Sequence, residues 1–156
     1  MGRLSLRLIQ WLGHQPWFPT VGRRFVPVDR ALQRLTKGRI DALGRRNLPT
    51  LLLTTVGAKS GLPRTVPLLY VADGDGWVVT ASNWGQRHHP AWSGNLLASP
   101  DATVEVGGRT VPVRAELAEG EVRDRLWSRV TTVWPAYDTY EERSGRHIRV
   151  FRLAPR

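Results

Sequence analysis

The chain has 156 residues and no cysteine, which gives it the length of one domain and excludes a disulfide framework, a thiolate metal site and a cysteine nucleophile. Its net charge of +10 is uneven: residues 1–46 carry ten Lys/Arg against Asp29 and Asp41, whereas the remaining 110 carry thirteen against eleven acids. A nearly neutral body argues against the wide cationic groove of a nucleic-acid enzyme and leaves room for a small anionic pocket.

At the N-terminus, Leu4, Leu8, Trp11 and Leu12 share an arc of ~100° on a helix, with Arg3, Arg7 and Gln10 on another. Trp17 and Phe18 follow directly. Cations beside tryptophans suit peripheral contact with an anionic membrane through residues 1–20. The other reading of this helix is packing on its own domain. No apolar run approaches the ~20 residues of a bilayer span, and the first residues lack the cleavage site of a signal peptide. Zero cysteines fit a reducing interior. The expectation is a cytoplasmic protein, peripheral on the inner face of the membrane, working as a monomer. Residues 1–27 read as a basic extension and 28–156 as the folded domain.

Asp29 is a suitable N-cap for a helix bearing Ala31, Leu32 and Leu35 and closed by Gly38. Leu51 to Thr55 reads as a buried strand. Val66–Ala72 and Trp77–Ser82 form a hairpin over Asp73-Gly74-Asp75-Gly76. Pro90 opens a short helix carrying Trp92, Asn95 and Leu96, closed before Pro100. Ala102–Val106 and Thr110–Ala115 make a second hairpin over Gly107-Gly108, with Pro112 marking an edge or a bulge. Glu119 and Glu121 begin a helix whose apolar side is Val122, Leu126, Val130 and Val133. A last strand runs from Ile148 to Leu153. About six antiparallel strands with helices inserted between hairpins make an α+β fold, a small barrel or strongly curved sheet.

Four histidines invite a metal, but His88 and His89 face different ways, His14 and His147 have no ligand-spaced partner, and no carboxylate sits at metal spacing. No nucleophile elbow is present. Gly57-Ala58-Lys59-Ser60-Gly61 leads into a strand, whereas a nucleotide phosphate loop opens a helix. The same loop nevertheless offers glycines, a hydroxyl and two cations, Lys59 and Arg64, as phosphate binding requires; a solvated turn uses the same residues. Ala81-Ser82-Asn83-Trp84-Gly85 ends a strand in small, hydrogen-bonding residues. Trp92 and Asn95 lie three apart on one helical face, able to meet one ligand; the bland alternative places Trp92 in the core.

Together these segments resemble the deazaflavin-dependent nitroreductases, split β-barrel oxidoreductases that use coenzyme F420. The resemblance rests on Thr54-Thr55, Gly57, Lys59-Ser60-Gly61, Arg64, Pro67-Leu68, Ala81-Ser82, Gly85, Pro90, Trp92, Asn95-Leu96, Pro100 and the Trp134–Tyr140 segment, and it spans Val28 to Leu153. It implies that Ala58, Lys59, Ser60 and Arg64 hold the cofactor's phosphate and tail. It also implies that Thr65, Val66, Pro67, Leu68 and Leu69 line the cofactor along their strand. By the same resemblance, Thr80, Ala81, Ser82 and Asn83, with Ala91, Trp92, Ser93, Gly94 and Asn95, border the ring. Tyr137 would close over it, and Trp134, Tyr137 and Tyr140 would face the substrate. Asn83 stands where some relatives carry lysine, and Leu69 where some carry an aromatic residue. The implied activity is hydride transfer from reduced deazaflavin to a quinone, enone or nitroaromatic, with Tyr140 or Tyr137 as proton donor. Two rival readings use the same loop: a non-catalytic, membrane-associated binder of lipid or cofactor, and an FMN enzyme on the same barrel.

Overall fold

The computed structural model describes residues 10–17, 20 and 48–156. Six antiparallel strands close into a barrel: β1 (Thr50–Val56), β2 (Pro63–Asp73), β3 (Gly76–Thr80), β4 (Asp101–Val106), β5 (Arg109–Leu117) and β6 (Val150–Pro155), in the order β1-β2-β3-β6-β5-β4. Hairpins join β1–β2, β2–β3 and β4–β5. Closure comes from non-sequential pairs, β1 with β4 and β3 with β6.

Helices fill the long connections. A 3₁₀ turn, Asn83–Gly85, and helix α1, Ala91–Ala98, carry the chain from β3 to β4; α2, Gly120–Val133, and α3, Ala136–Ser144, carry it from β5 to β6. Strand alternation builds two cores. Leu51, Leu53, Val79, Val104, Val113, Phe151 and Leu153 fill the barrel, capped at one end by Trp92 and Leu96 of α1. Val78 and Val150, their neighbours in sequence, point outward and pack with Leu126 and Val130 of α2 and Tyr137 and Tyr140 of α3. Each fully buried aliphatic side chain contributes about 1.5–3 kcal/mol of transfer free energy.

The expected strands and the helices at Pro90 and Glu119 form with ends shifted by a few residues. Three readings need correction. Pro112 marks no edge: it pairs with Thr103 inside the closed barrel. Its carbonyl accepts from Arg156 N at 3.0 Å, so its missing N–H faces the very end of β6, where little is lost. Second, Val122 is 50% exposed, and the buried side of α2 is Arg123, Leu126 and Val130. A helical apolar stripe assumes that charges face water. Arg123 is instead drawn inward by Glu141 at 2.6 Å, Ile148 O at 3.2 Å and the Trp127 ring, 4.2 Å below its guanidinium. Third, α3 was not anticipated as a helix at all. It runs from Pro135 as N-cap to Gly145, whose left-handed φ of 63° and bonds to Glu141 O and Glu142 O end it.

The Asp29–Gly38 helix and the boundary near residue 27 lie outside the described residues, as does the stripe before Gln10. Residues 10–13 are helical and lie on the body. Gln10 Nε2 donates to Val133 O at 3.1 Å, His14 Nδ1 meets Thr139 Oγ1 at 2.8 Å, and Arg143 donates to His14 O at 3.2 Å. Among the described residues no helix is long and apolar enough to cross a membrane.

Candidate functional site

The connection between β1 and β2 is a tight loop that only its glycines permit. Gly57 N donates to Leu62 O at 2.8 Å and Gly61 N to Gly57 O at 2.7 Å, with Gly61 left-handed. A Cβ at Gly57 would fall 2.5 Å from Ser60 Oγ and 3.2 Å from Leu62 O. Ser60 Oγ accepts from Leu62 N, and the Thr54 and Thr65 hydroxyls join across the strands at 2.8 Å. Ala58, Lys59 and Ser60 are exposed on this loop, and Arg64 is exposed just beyond it at the start of β2. Among the described residues, neither Lys59 nor Arg64 is paired with a carboxylate, and both are residue types that bind an anion.

Asn95 fastens α1 to this loop. Its Oδ1 accepts from Ala58 N at 3.0 Å and its Nδ2 donates to Thr55 Oγ1 at 3.0 Å. The amide is thereby engaged at both ends and buried. It shapes the loop, and these two bonds occupy both ends of the amide that its helical spacing with Trp92 offered to a ligand. Trp92 is core, its ring 5.8 Å from that of Phe151. The exposed residues of α1 are Ala91, Gly94, Leu97 and Ala98, and a Cβ added to Gly94 would meet nothing within 4 Å.

Beyond β3 the backbone enters an unusual turn. Asn83 and Trp84 have φ of 47° and 58°, and Gly85 follows at 74°. Such non-glycine conformations cost about 1–3 kcal/mol each and persist only where neighbours impose them. Arg146 is the chief neighbour. It donates from Nη2 to Ala81 O at 3.1 Å and to Ser82 O at 2.8 Å, and from Nε to Gln86 O at 2.9 Å. Its Nη1 reaches His89 Nδ1 at 2.9 Å. Arg149 donates to Ser93 Oγ at 3.2 Å. Burial, then Arg146 and Arg149, hold His89 below the ordinary imidazole range.

A third region lies on the outer face of β2 and β3. Leu69, Tyr70, Val71 and Thr80 of these strands, Val130 and Val133 of α2, and Tyr137 of α3 pack around one closed-up surface depression, where Tyr137 is 6% exposed. Tyr137 meets the Tyr140 ring edge-on, centroids 6.3 Å apart. The Tyr140 hydroxyl is enclosed and, among the described residues, forms no hydrogen bond of good geometry. Burial raises its pKa to about 12, tempered by the nearby Trp134 indole. Trp134 is itself buried, and a Cβ at Gly13 would fall 2.6 Å from its ring.

The expected site residues thus fall into groups. Ala58, Lys59, Ser60 and Arg64 come together with α1. Ser82 and Asn83, half-buried, share the turn held by Arg146. Leu69, Thr80 and Tyr137 share the outer depression. Thr65 to Leu69 do not line one face, because strand alternation turns Val66 and Leu68 into the barrel and Leu69 out of it. Ala81, Trp92 and Ser93 are buried, leaving Ala91 and Gly94 as the expected residues of α1 that are exposed. Sequence reasoning missed Arg146, Arg149 and His89. Arg146 carried one signal, its place directly after the helix-ending Gly145. Among the described residues no three His, Asp or Glu converge on a point.

The family model described as F420H(2)-dependent quinone reductase matches residues 27–155. The F420H(2)-dependent quinone reductase Rv1261c of Mycobacterium tuberculosis is 37% identical over 139 residues, 87% of this chain and 93% of its own. Rv3178 of the same organism is 38% identical over 118 residues, 76% of this chain and 99% of its own. Among solved structures, the F420-H2 dependent reductase FDR-A superposes with a TM-score of 0.63 at 37% identity, over 67% of this chain and 93% of that one. The chain belongs to the F420H(2)-dependent quinone reductase family.

Proposed function

We propose that the protein reduces quinone-type small molecules with a hydride taken from reduced coenzyme F420, and that enones and nitroaromatics can stand in as acceptors. The observation that carries this reading is the Gly57–Leu62 loop, which presents exposed Lys59 beside exposed Arg64 at the start of β2, with no carboxylate partner for either among the described residues, while Asn95 fixes the loop to α1. Such a loop fits a phosphodiester with an acidic tail. When bound, the reduced deazaflavin supplies the hydride and with it the reducing power.

The chain's own residues bind, orient and exclude water. Lys59 on the loop and Arg64 at the start of β2 hold the anionic tail, with Ala58 and Ser60 shaping the loop backbone. Ala91 and Gly94 give a flat approach over α1, and Ser82 and Asn83 supply polar anchors at the end of β3. Leu69, Thr80 and Tyr137 form the apolar side of the slot. A hydride acceptor also needs a proton, and we place its donation on Tyr137, which lines the depression. Tyr140 holds its hydroxyl enclosed, and Trp134 is covered by residues 10–14 and serves as packing behind Tyr137.

Fluorescence titration of the purified protein with F420, with FMN in parallel, tests the reading. Tight binding of the deazaflavin alone is expected, weakened about tenfold or more by Lys59→Ala or Arg64→Ala, each a loss of roughly 1.4 kcal/mol. Reduced cofactor should then be oxidised when a quinone is added. Binding without turnover would leave a cofactor carrier, and binding of FMN alone would make this a flavin enzyme.

Trp11 and Trp17 are 58% and 51% exposed, and residues 1–9 bring Arg3 and Arg7 beside them in sequence. On this basis we assign peripheral contact with anionic lipid to residues 1–20, which would place the enzyme where lipid-soluble quinones are. Co-sedimentation with anionic vesicles, lost in Trp11→Ala/Trp17→Ala, tests it; binding equal to neutral vesicles would refute it.

A further inference from the structure

Ser82 and Asn83 sit on backbone that does not hold its own shape. Asn83 and Trp84 are successive left-handed residues, and a tryptophan takes that conformation only under constraint. The turn's own bonds are Gly85 N to Ser82 O at 3.0 Å and Gln86 N to Asn83 O at 3.1 Å. Asn83 Nδ2 adds a donation to His88 O at 3.0 Å. Arg146 contributes more than any of these, because one planar side chain grips Ala81 O, Ser82 O and Gln86 O and reaches His89 Nδ1.

On the reading that Ser82 and Asn83 border the cofactor, we propose that Arg146 is a positioning residue whose guanidinium, paired with neutral His89, holds the Ala81–His89 segment in its binding shape. Its own placement is exact, since Gly145 ends α3 with a left-handed turn immediately before it. Gly85 also packs against α3, so close that a Cβ there would stand 3.2 Å from the Tyr140 Cα. Arg146 therefore ties the turn to the helix that carries Tyr137. Lysine cannot replace it, because one ammonium on a flexible stem does not reproduce a rigid fork serving several acceptors.

A guanidinium has no acceptor, so the contact at 2.9 Å requires a lone pair on His89 Nδ1 and the proton on Nε2. Protonation of His89 would set donor against donor and cation against cation. Arg146 and Arg149 are the charged groups acting on His89, while Arg87 and His88 beside it in sequence are exposed. Glu141, the carboxylate acting on Arg146, is already engaged by Arg123. The folded His89 is held below its ordinary value. The clamp is thus complete above about pH 6.5 and is lost as pH falls through that lowered value.

The test uses the full chain as wild type, Arg146→Lys, Arg146→Met and His89→Asn, whose Oδ1 replaces the ring acceptor. Near-UV circular dichroism without cofactor and F420 affinity by fluorescence are each followed from about pH 7.5 to about pH 5. Wild type should show a near-UV transition as pH falls below the ordinary imidazole value of about 6.5, with an affinity loss of about tenfold, both absent in His89→Asn. Any titration of the cofactor itself is common to the two proteins and cancels. Both Arg146 variants should bind about tenfold more weakly at neutral pH, with far-UV signal kept and lysine giving no rescue. A wild-type signal flat with pH, the same transition in His89→Asn, or native affinity in Arg146→Lys would overturn the proposal. Should Arg146→Met fail to fold, Arg146→Lys and His89→Asn carry the test. Failure of wild type to bind F420 would remove the functional reading, and the cofactor-free transition would still decide the clamp.

Discussion

Asn95 donates to Thr55 Oγ1 across 3.0 Å inside the protein, joining α1 to the last turns of β1. Its other atom accepts from Ala58 N, so one amide satisfies a buried hydroxyl and a loop N–H. Asn95→Ala would strand both, at a cost of about 1–3 kcal/mol in urea unfolding. Asn95→Asp retains acceptors for both groups and should lose less stability. It also sets a negative charge beside Lys59 and Arg64, so cofactor affinity should fall further in Asp than stability does. Equal effects of Asn95→Asp on stability and affinity would show that the loop does not bind an anion.

Gly85 adopts a φ of 74°, and a Cβ there would come within 3.2 Å of Tyr140 Cα and Cδ1. The backbone of α3 cannot yield as a flexible side-chain tip would. Gly85→Ala should therefore cost roughly 1–3 kcal/mol from the strained conformation alone, with a further loss from moving α3 off the turn. Thermal melting reads the stability. A lowered turnover at unchanged tail affinity would place the damage at Ser82 and Tyr137, away from Lys59 and Arg64.

The barrel was legible because its strands obey simple rules. Asp73-Gly74-Asp75-Gly76 and Gly107-Gly108 punctuate hairpins, and Leu51 to Thr55 has the apolar content of a strand buried in a closed sheet. Which strands close the barrel was not legible: pairing of Leu52 with Glu105 and of Val79 with Phe151 joins residues far apart in the chain, and no local signal records it. Helix α3 was hidden by its composition, since Ala136–Ser144 carries Asp, two Glu and Arg with little apolar periodicity. Its buried face, Tyr137 and Tyr140, is two aromatics three apart. The cations Lys59 and Arg64 were visible as residue types in and beside a glycine-bearing turn. Arg146 was not, because its partners are backbone carbonyls, and carbonyls leave no trace in side-chain identity.

Asp73 ties the β2–β3 hairpin to both α2 and β6. Its carboxylate accepts from Arg152 Nε at 2.9 Å and from Arg129 Nη1. The hydrogen bond from Arg152, with Arg129 adding to it, holds the Asp73 carboxyl below the ordinary carboxylate range. A depressed folded pKa stabilises fully above the unfolded value of about 3.9, and the contribution fades as pH falls through the folded value. Stability followed by far-UV circular dichroism should thus start to fall near about pH 4 in wild type and keep falling until pH has passed the lowered folded value. Asp73→Asn should be less stable at neutral pH and lose this part of the acid limb. An unchanged acid limb in Asp73→Asn would show that the network contributes nothing to folding.

Tyr140 gives the opposite sign at the alkaline end. Burial raises its phenol to about 12, while the unfolded chain releases the proton near 10. Between these values the folded state binds more protons than the unfolded state, so stability falls as pH rises, by about 2–3 kcal/mol over the window. Tyr140→Phe removes that limb. At neutral pH the same change deletes a hydroxyl without a well-made hydrogen bond among the described residues, so stability should hold or rise slightly. Turnover separates the two tyrosines. Phe at 140 should leave quinone reduction within about twofold, because an enclosed phenol of raised pKa is poorly placed to hand over a proton. Phe at 137 should lower turnover about tenfold or more with cofactor affinity kept. The reverse pattern, with Tyr140→Phe slow and Tyr137→Phe normal, would move the proton path behind the depression and require α3 to open during each cycle.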